Sequence, residues 1–136
     1  MSEILVDTLT GKTTANDITV TVGASATMSL EQGLAKAWFQ AQMYTSNAIN
    51  DSLNGSSLTD NAAGDFTLTV TNAFGNDAFC ITGSTSQSHV LQDRNTRDGA
   101  YNNYRTTSTQ RCSSMSDAGT RQDCNHNCVS FFGDLA

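Results

Sequence analysis

Near its C-terminus the chain reads CNHNC, Cys124 to Cys128. Two thiols and an imidazole at alternate positions are donor types that zinc accepts. On a β-strand, residues two apart point to the same side, so Cys124, His126 and Cys128 are expected to share one face. A closed structural zinc site needs a fourth ligand, which His89 or Cys112 supplies only if the fold brings it near. Successive same-face positions lie about 6–7 Å apart, a long reach for convergence on one ion from a straight strand. Three copies of His126 around a symmetry axis are another way to hold an ion. Against these readings, an unpaired cysteine commonly serves as a small buried hydrophobe, and the thiols can also pair as a disulfide once outside the cell. The strand face is the reading adopted. No metal and no cofactor are expected, and Cys124, His126 and Cys128 stand only as candidate ligands.

Other chemistry finds less support. A nucleophile needs a base and an orienting group beside it, and no recognisable signature surrounds any of the four cysteines. No catalytic residue is assigned and no enzymatic activity is expected. Asp60 and Asp65 stand in a Gly/Asn-rich stretch, where carboxylates usually accept backbone N–H bonds, and they lack calcium-loop spacing. The Gly11-Lys12-Thr13 run invites a phosphate-loop reading, but Val6 occupies the position where that motif requires another glycine.

The 136 residues suffice for one domain with an ordinary core. Only 15% are charged, below the roughly 25% of an average soluble protein, and Ser plus Thr occupy 34 positions instead. Thr fits pleated strands and Ser, Asn and Gly fit turns, while proline is absent. The net charge of −6 argues against nucleic acid, which requires a basic patch. No apolar run has the length of a membrane span, and the N-terminus lacks the form of a signal peptide. Membrane insertion is not expected, and synthesis in a cytoplasm is.

The elements follow from periodicity. Ile18, Val20 and Val22 alternate with threonines, as a half-buried strand does. Residues 29–44 are predicted as a helix. Ser29 and Gln32 have capping-box spacing, and Leu30, Leu34, Ala37, Ala41 and Tyr44 form a narrow stripe flanked by Trp38 and Met43. Phe66, Leu68 and Val70 alternate with Thr67, Thr69 and Thr71, the cleanest strand pattern in the chain, and 78–83 is expected as its hairpin partner. Further strands are predicted within 88–92, 104–113 and 124–133. Short strands at this spacing imply a sandwich or barrel. The expected organisation is an N-terminal extended docking segment (1–28), the helix (29–44) and an antiparallel, jelly-roll-like β-sandwich (45–136).

Three stretches carry a resemblance: GLAKAWF (33–39), AINDSLNGSSLTDNAAGDFTLTVTNAF (48–74) and the closing VSFFGDLA (129–136). Together they resemble a domain found at the C-terminal end of tail-fibre-like proteins of tailed bacteriophages, those of marine and freshwater bacteria including cyanobacteria. The resemblance covers most of the chain and is poorest over 84–103 and at CNHNC. It implies a virion structural protein without enzymatic activity, a homotrimer made in the bacterial host cytoplasm. The expected function is a small tail fibre or knob in host attachment. A capsid decoration protein or head fibre is the alternative, and a stand-alone metal- or carbohydrate-binding β-domain is the reading from another class.

Two contact regions follow. Leu30, Leu34, Ala37, Trp38 and Ala41 are the expected subunit contact, with three helices meeting about an axis. The stretch 92–105 holds Arg94, Arg97, Tyr101, Asn102, Asn103 and Tyr104, which suit either a neighbouring subunit or a host-surface glycan or protein. The N-terminal segment is expected to dock on another virion protein.

Overall fold

A computed structural model describes residues 4–10, 18–22, 25–86, 90–93 and 105–136. The described residues form strands and no helix. They divide into two compact units, Met1–Leu34 and Ala35–Ala136.

In the first unit β1 (Thr19–Val22) and β2 (Ala26–Ser29) pair antiparallel as a two-stranded sheet. Ile18 and Val20 are half-buried and Thr19 and Thr21 exposed, as their alternation predicts. After β2 the chain turns instead of entering a helix. The Gln32 N–H points at Ser29 Oγ (3.5 Å) and the Gly33 N–H at the Ser29 carbonyl (3.3 Å). The capping-box residues therefore interact as their spacing implies, but they close only one turn.

The second unit contains two antiparallel four-stranded sheets. One has the order β4 (Ala48–Leu53), β3 (Ala37–Gln42), β10 (Asn127–Phe132), β7 (Cys80–Thr85). The other runs β5 (Gly55–Ala62), β6 (Asp65–Val70), β9 (Thr109–Met115), β8 (Val90–Asp93). Their inward side chains join in one core: Ala37, Phe39, Ala41, Val129 and Phe131 from the first sheet, Phe66, Leu68, Val70 and Cys112 from the second. The arrangement is sandwich-like. The strand order departs from a jelly roll, because β3 and β4 pair within one sheet, where a jelly roll sends its first two strands to opposite sheets.

Two expectations are corrected. Residues 37–42 are the strand β3, not the second half of a helix, and the burial pattern gives the reason. Ala37, Phe39, Ala41 and Met43 are buried, while Trp38, Gln40 and Gln42 are only half-buried. That is a period of two, which sets Phe39 edge-on to Phe131 with centroids 5.7 Å apart. A helix would turn Phe39 and Met43 away from Ala37 and Ala41. The second correction concerns β6. Its alternation is as predicted, with Phe66, Leu68 and Val70 buried, but it pairs with β5 and β9. The segment expected as its partner lies within and before β7, which pairs with β10 in the other sheet.

Asp65 departs most from its reading as a turn carboxylate. It is 1% exposed and opens β6, opposite Ser113. Arg111, diagonal to it on β9, grips the carboxylate with Nε at 2.7 Å and Nη2 at 2.9 Å. Arg121 approaches at 3.6 Å. Gly64 just before it has φ +62°, and a Cβ there would lie 2.5 Å from the Gln122 N and 2.6 Å from the Ser114 O. The β5–β6 turn thus sits directly against the loop that follows β9.

The pair is unequal in burial, since the Arg111 side chain is 20% exposed. Arg111→Ala leaves the carboxylate buried without its bidentate partner, which is expected to cost about 3–5 kcal/mol. Asp65→Ala leaves guanidinium groups that can reach water, so its cost is expected to be smaller. Urea unfolding of both single variants and the double variant checks this; equal losses from the two singles would contradict it.

Candidate functional site

The CNHNC stretch does not present one face. The chain bends at Asn125 and β10 begins only at Asn127. Asn127 is fully buried, and its side-chain amide points at the Cys124 carbonyl (3.3 Å) and the Ala41 carbonyl (3.5 Å). The Cys124 carbonyl also accepts the Met43 N–H at 3.0 Å. These bonds turn Cys124 inward to 2% exposure, with its thiol directed at the Gln122 carbonyl (3.7 Å). His126 and Cys128 are exposed. The expectation that Cys124, His126 and Cys128 share a face is therefore corrected: the bend separates Cys124 from the other two. Among the described residues, no group of three His, Cys, Asp or Glu side chains is placed to hold a metal. His89 lies outside the described residues.

His126 and Cys128 do face the same way, on the outside of the β4-β3-β10-β7 sheet. Register places Cys128 between Gln40 of β3 and Ser84 of β7. Gln40 Nε2 lies 2.6 Å from His126 Nδ1, and the His126 backbone bonds to Ser86 on its other side. Gln40 thus neighbours both the imidazole and the thiol. Farther along the face, Ser130 lies between Trp38 and Thr82, and Phe132 pairs with Cys80. Beyond β3, β4 adds Asp51 and Leu53 opposite Gln40 and Trp38. The surface is nearly uncharged, rich in hydroxyls and amides, and carries two exposed thiols.

Those two thiols do not meet within a chain. Cys80 and Cys128 are offset by four register positions on neighbouring strands, about 13 Å, beyond the 4.4–6.8 Å Cα separation a disulfide usually spans. Cys112 is buried in the core opposite Phe66, on the other sheet from β10, and so does not supply a fourth ligand to the CNHNC stretch.

The expected subunit contact fares unevenly. Ala37 and Ala41 are fully buried in the protein's own core and cannot line an axis, because the strand aims them inward. Leu34 is exposed, and Leu30 and Trp38 are half-buried. Arg94, Arg97, Tyr101, Asn102, Asn103 and Tyr104 lie outside the described residues. Arg105, next in sequence, is committed to structure. It bonds to Gln110 Oε1 (2.7 Å) and the Phe79 carbonyl (2.8 Å), and its guanidinium lies over the Phe79 ring.

The sequence carries no signal for Gln40 or Cys80: the periodicity of 29–44 places Gln40 in a helix, and 78–83 reads as the hairpin partner of β6, so nothing sets either on a face with Cys128. No family model, curated protein or solved structure matches the chain.

Burial divides the thiols into two classes. Alkylation of the native, reduced protein is expected to modify Cys80 and Cys128 and to spare Cys112 and Cys124 until denaturant is added. Peptide mass mapping reads the four sites. Native labelling of Cys124 as fast as Cys128 would contradict the inward bend.

Proposed function

We propose that the protein is a bacteriophage virion structural protein, a small homotrimeric tail fibre or knob that takes part in host attachment. The observation that carries this reading is where the exposed apolar residues fall. Ile4 and Leu5 are 84% exposed, and Val6, Leu9, Met28 and Leu34 are all above half exposure. All six belong to the Met1–Leu34 unit. Aliphatic side chains held in water in this number favour burial against a partner, and the partner proposed is another virion protein.

The second unit supports the reading in its own way. The stretch 48–74, which resembles the phage domain most closely, builds β4, β5 and β6 and the turn held by Asp65. The resemblance therefore rests on residues that organise the body, not on a variable loop. Its outward strand positions are mostly hydroxyl and amide groups, a surface suited to forming a specific contact without spreading aggregation. The trimer is proposed from the resemblance, with contacts drawn from Leu30, Leu34 and Trp38, which keep exposed surface, and not from a helix bundle.

Light scattering is expected to give three times the 14.5 kDa chain mass; a monomer would overturn the trimer. Replacing Ile4 and Leu5 together by Asp is expected to leave the melting temperature of the β body unchanged while abolishing incorporation into phage particles. Wild-type incorporation of that variant would overturn the docking assignment. Gold-labelled antibody on intact particles reads the position, where labelling of the head would replace the tail fibre with a capsid decoration or head fibre.

A further inference from the structure

We propose that His126 and Cys128 form half of a tetrahedral zinc-type site, completed by the same pair from a second copy of the chain. The inference is independent of the virion reading.

The donor set comes first. A thiol and an imidazole are the two ligand types that structural zinc sites combine, and a closed site takes four of them. One chain supplies two on the outer face, flanking buried Asn127. Same-side positions two residues apart are about 6–7 Å apart at Cα, too long a reach for three ligands in a row along a straight strand, but one that two side chains span when both lean toward an ion above Asn127. Cys124 cannot add a third ligand because it is turned into the protein. Two more must come from outside the chain, and a two-fold axis provides an identical pair.

The surroundings favour this over a lone pair of surface residues. Imidazoles bound to metals nearly always give their second ring N–H to a fixed acceptor, which sets the ring and frees the other nitrogen. Gln40 stands in that place, its amide 2.6 Å from His126 Nδ1. A half-turn of the amide presents Gln40 Oε1 to an Nδ1–H, and that tautomer leaves the lone pair on His126 Nε2. Gln40 is also the cross-strand partner of Cys128, so one residue neighbours both ligands.

Access is open as well. His126 precedes the first residue of β10, so the pair sits at one end of the sheet, where two copies can approach without stacking whole faces. The neighbours Ser84 and Ser86 are small. Two thiolates, one from each chain, match the charge of a divalent ion.

The test uses the full chain in a non-chelating reductant, titrated with Zn²⁺ and followed by light scattering. Saturation is expected at one zinc per two chains, with the native mass doubling from whatever value the metal-free protein has and returning in EDTA. The metal-free mass reads the trimer and the doubling reads this site, so failure of either is distinguishable. Co²⁺ in place of zinc is expected to give a thiolate charge-transfer band and tetrahedral visible bands. Cys128→Ser and His126→Ala should each abolish doubling and the cobalt spectrum with melting unchanged, since both residues are exposed, whereas Cys80→Ser should retain both. Absence of doubling, or doubling that survives Cys128→Ser, would overturn the proposal.

Discussion

A single residue, Asn54, makes the first crossing from one sheet of the body to the other, and the strands around that corner depend on how it is held. It lies between the last residue of β4 and the first of β5 with φ +56°, a left-handed conformation that asparagine tolerates better than most residues. Its side-chain amide donates to the Lys36 carbonyl (3.2 Å) and the Asn72 carbonyl (3.0 Å), and Oδ1 accepts the Asn72 N–H (2.7 Å). Its own carbonyl accepts the Thr71 N–H at 3.0 Å. Lys36 stands just before β3 and Asn72 just after β6, so one side chain ties together the ends of four strands. Gly55 completes the corner, because a Cβ there would lie 2.5 Å from Ser52 Oγ and 2.8 Å from the Phe39 ring.

With that corner fixed, the β3–β4 and β5–β6 hairpins fall into different sheets and their apolar faces oppose each other. Phe39, Phe131, Phe79 and Phe74 then form a chain of ring contacts, the last pair stacked at 4.4 Å. The C-terminal residues close this end, with Leu135 bridging to Phe74 and the Ala136 N–H bonding to the Ala73 carbonyl. Buried polar groups mark where loops are pinned to the sheets. Asp65 holds the β5–β6 turn through Arg111, and Asn127 holds the bend before β10. Such groups contribute little net attraction after desolvation, but they penalise every alternative packing that would leave them unpaired.

What could be read from the sequence followed from how unambiguous each local pattern was. Phe66, Leu68 and Val70 between threonines admit only a strand, and the strand is there. The stretch 29–44 supports two periods at once. Leu30, Leu34, Ala37 and Ala41 fit a helix, while Ala37, Phe39, Ala41 and Met43 fit a strand. Alanine satisfies both, so the decision falls to Phe39, whose place in the core depends on Phe131, nearly a hundred positions away. Cys124, His126 and Cys128 likewise obey the strand rule only where a strand exists, and the chain bends at Asn125, before β10 begins. The pairing of β7 with β10 is a long-range choice of the same kind, with no trace in either segment alone.

The two units divide exposure unequally, and that bears on how the molecule associates. Of the large apolar side chains that face water among the described residues, only Tyr44 and Leu53 belong to Ala35–Ala136, and the other six belong to Met1–Leu34. The body spends its apolar residues on its own core and meets water with Thr, Ser, Asn and Gln. Association driven by apolar burial therefore centres on the first unit, where each aliphatic group removed from water contributes roughly 25 cal/mol per Å². Contacts made by the body rest more on hydrogen bonds, which reward correct orientation far more than simple proximity. On the virion reading this is a coherent division: an adhesive first segment that needs only a complementary apolar surface, and a body whose neighbours must arrive in register.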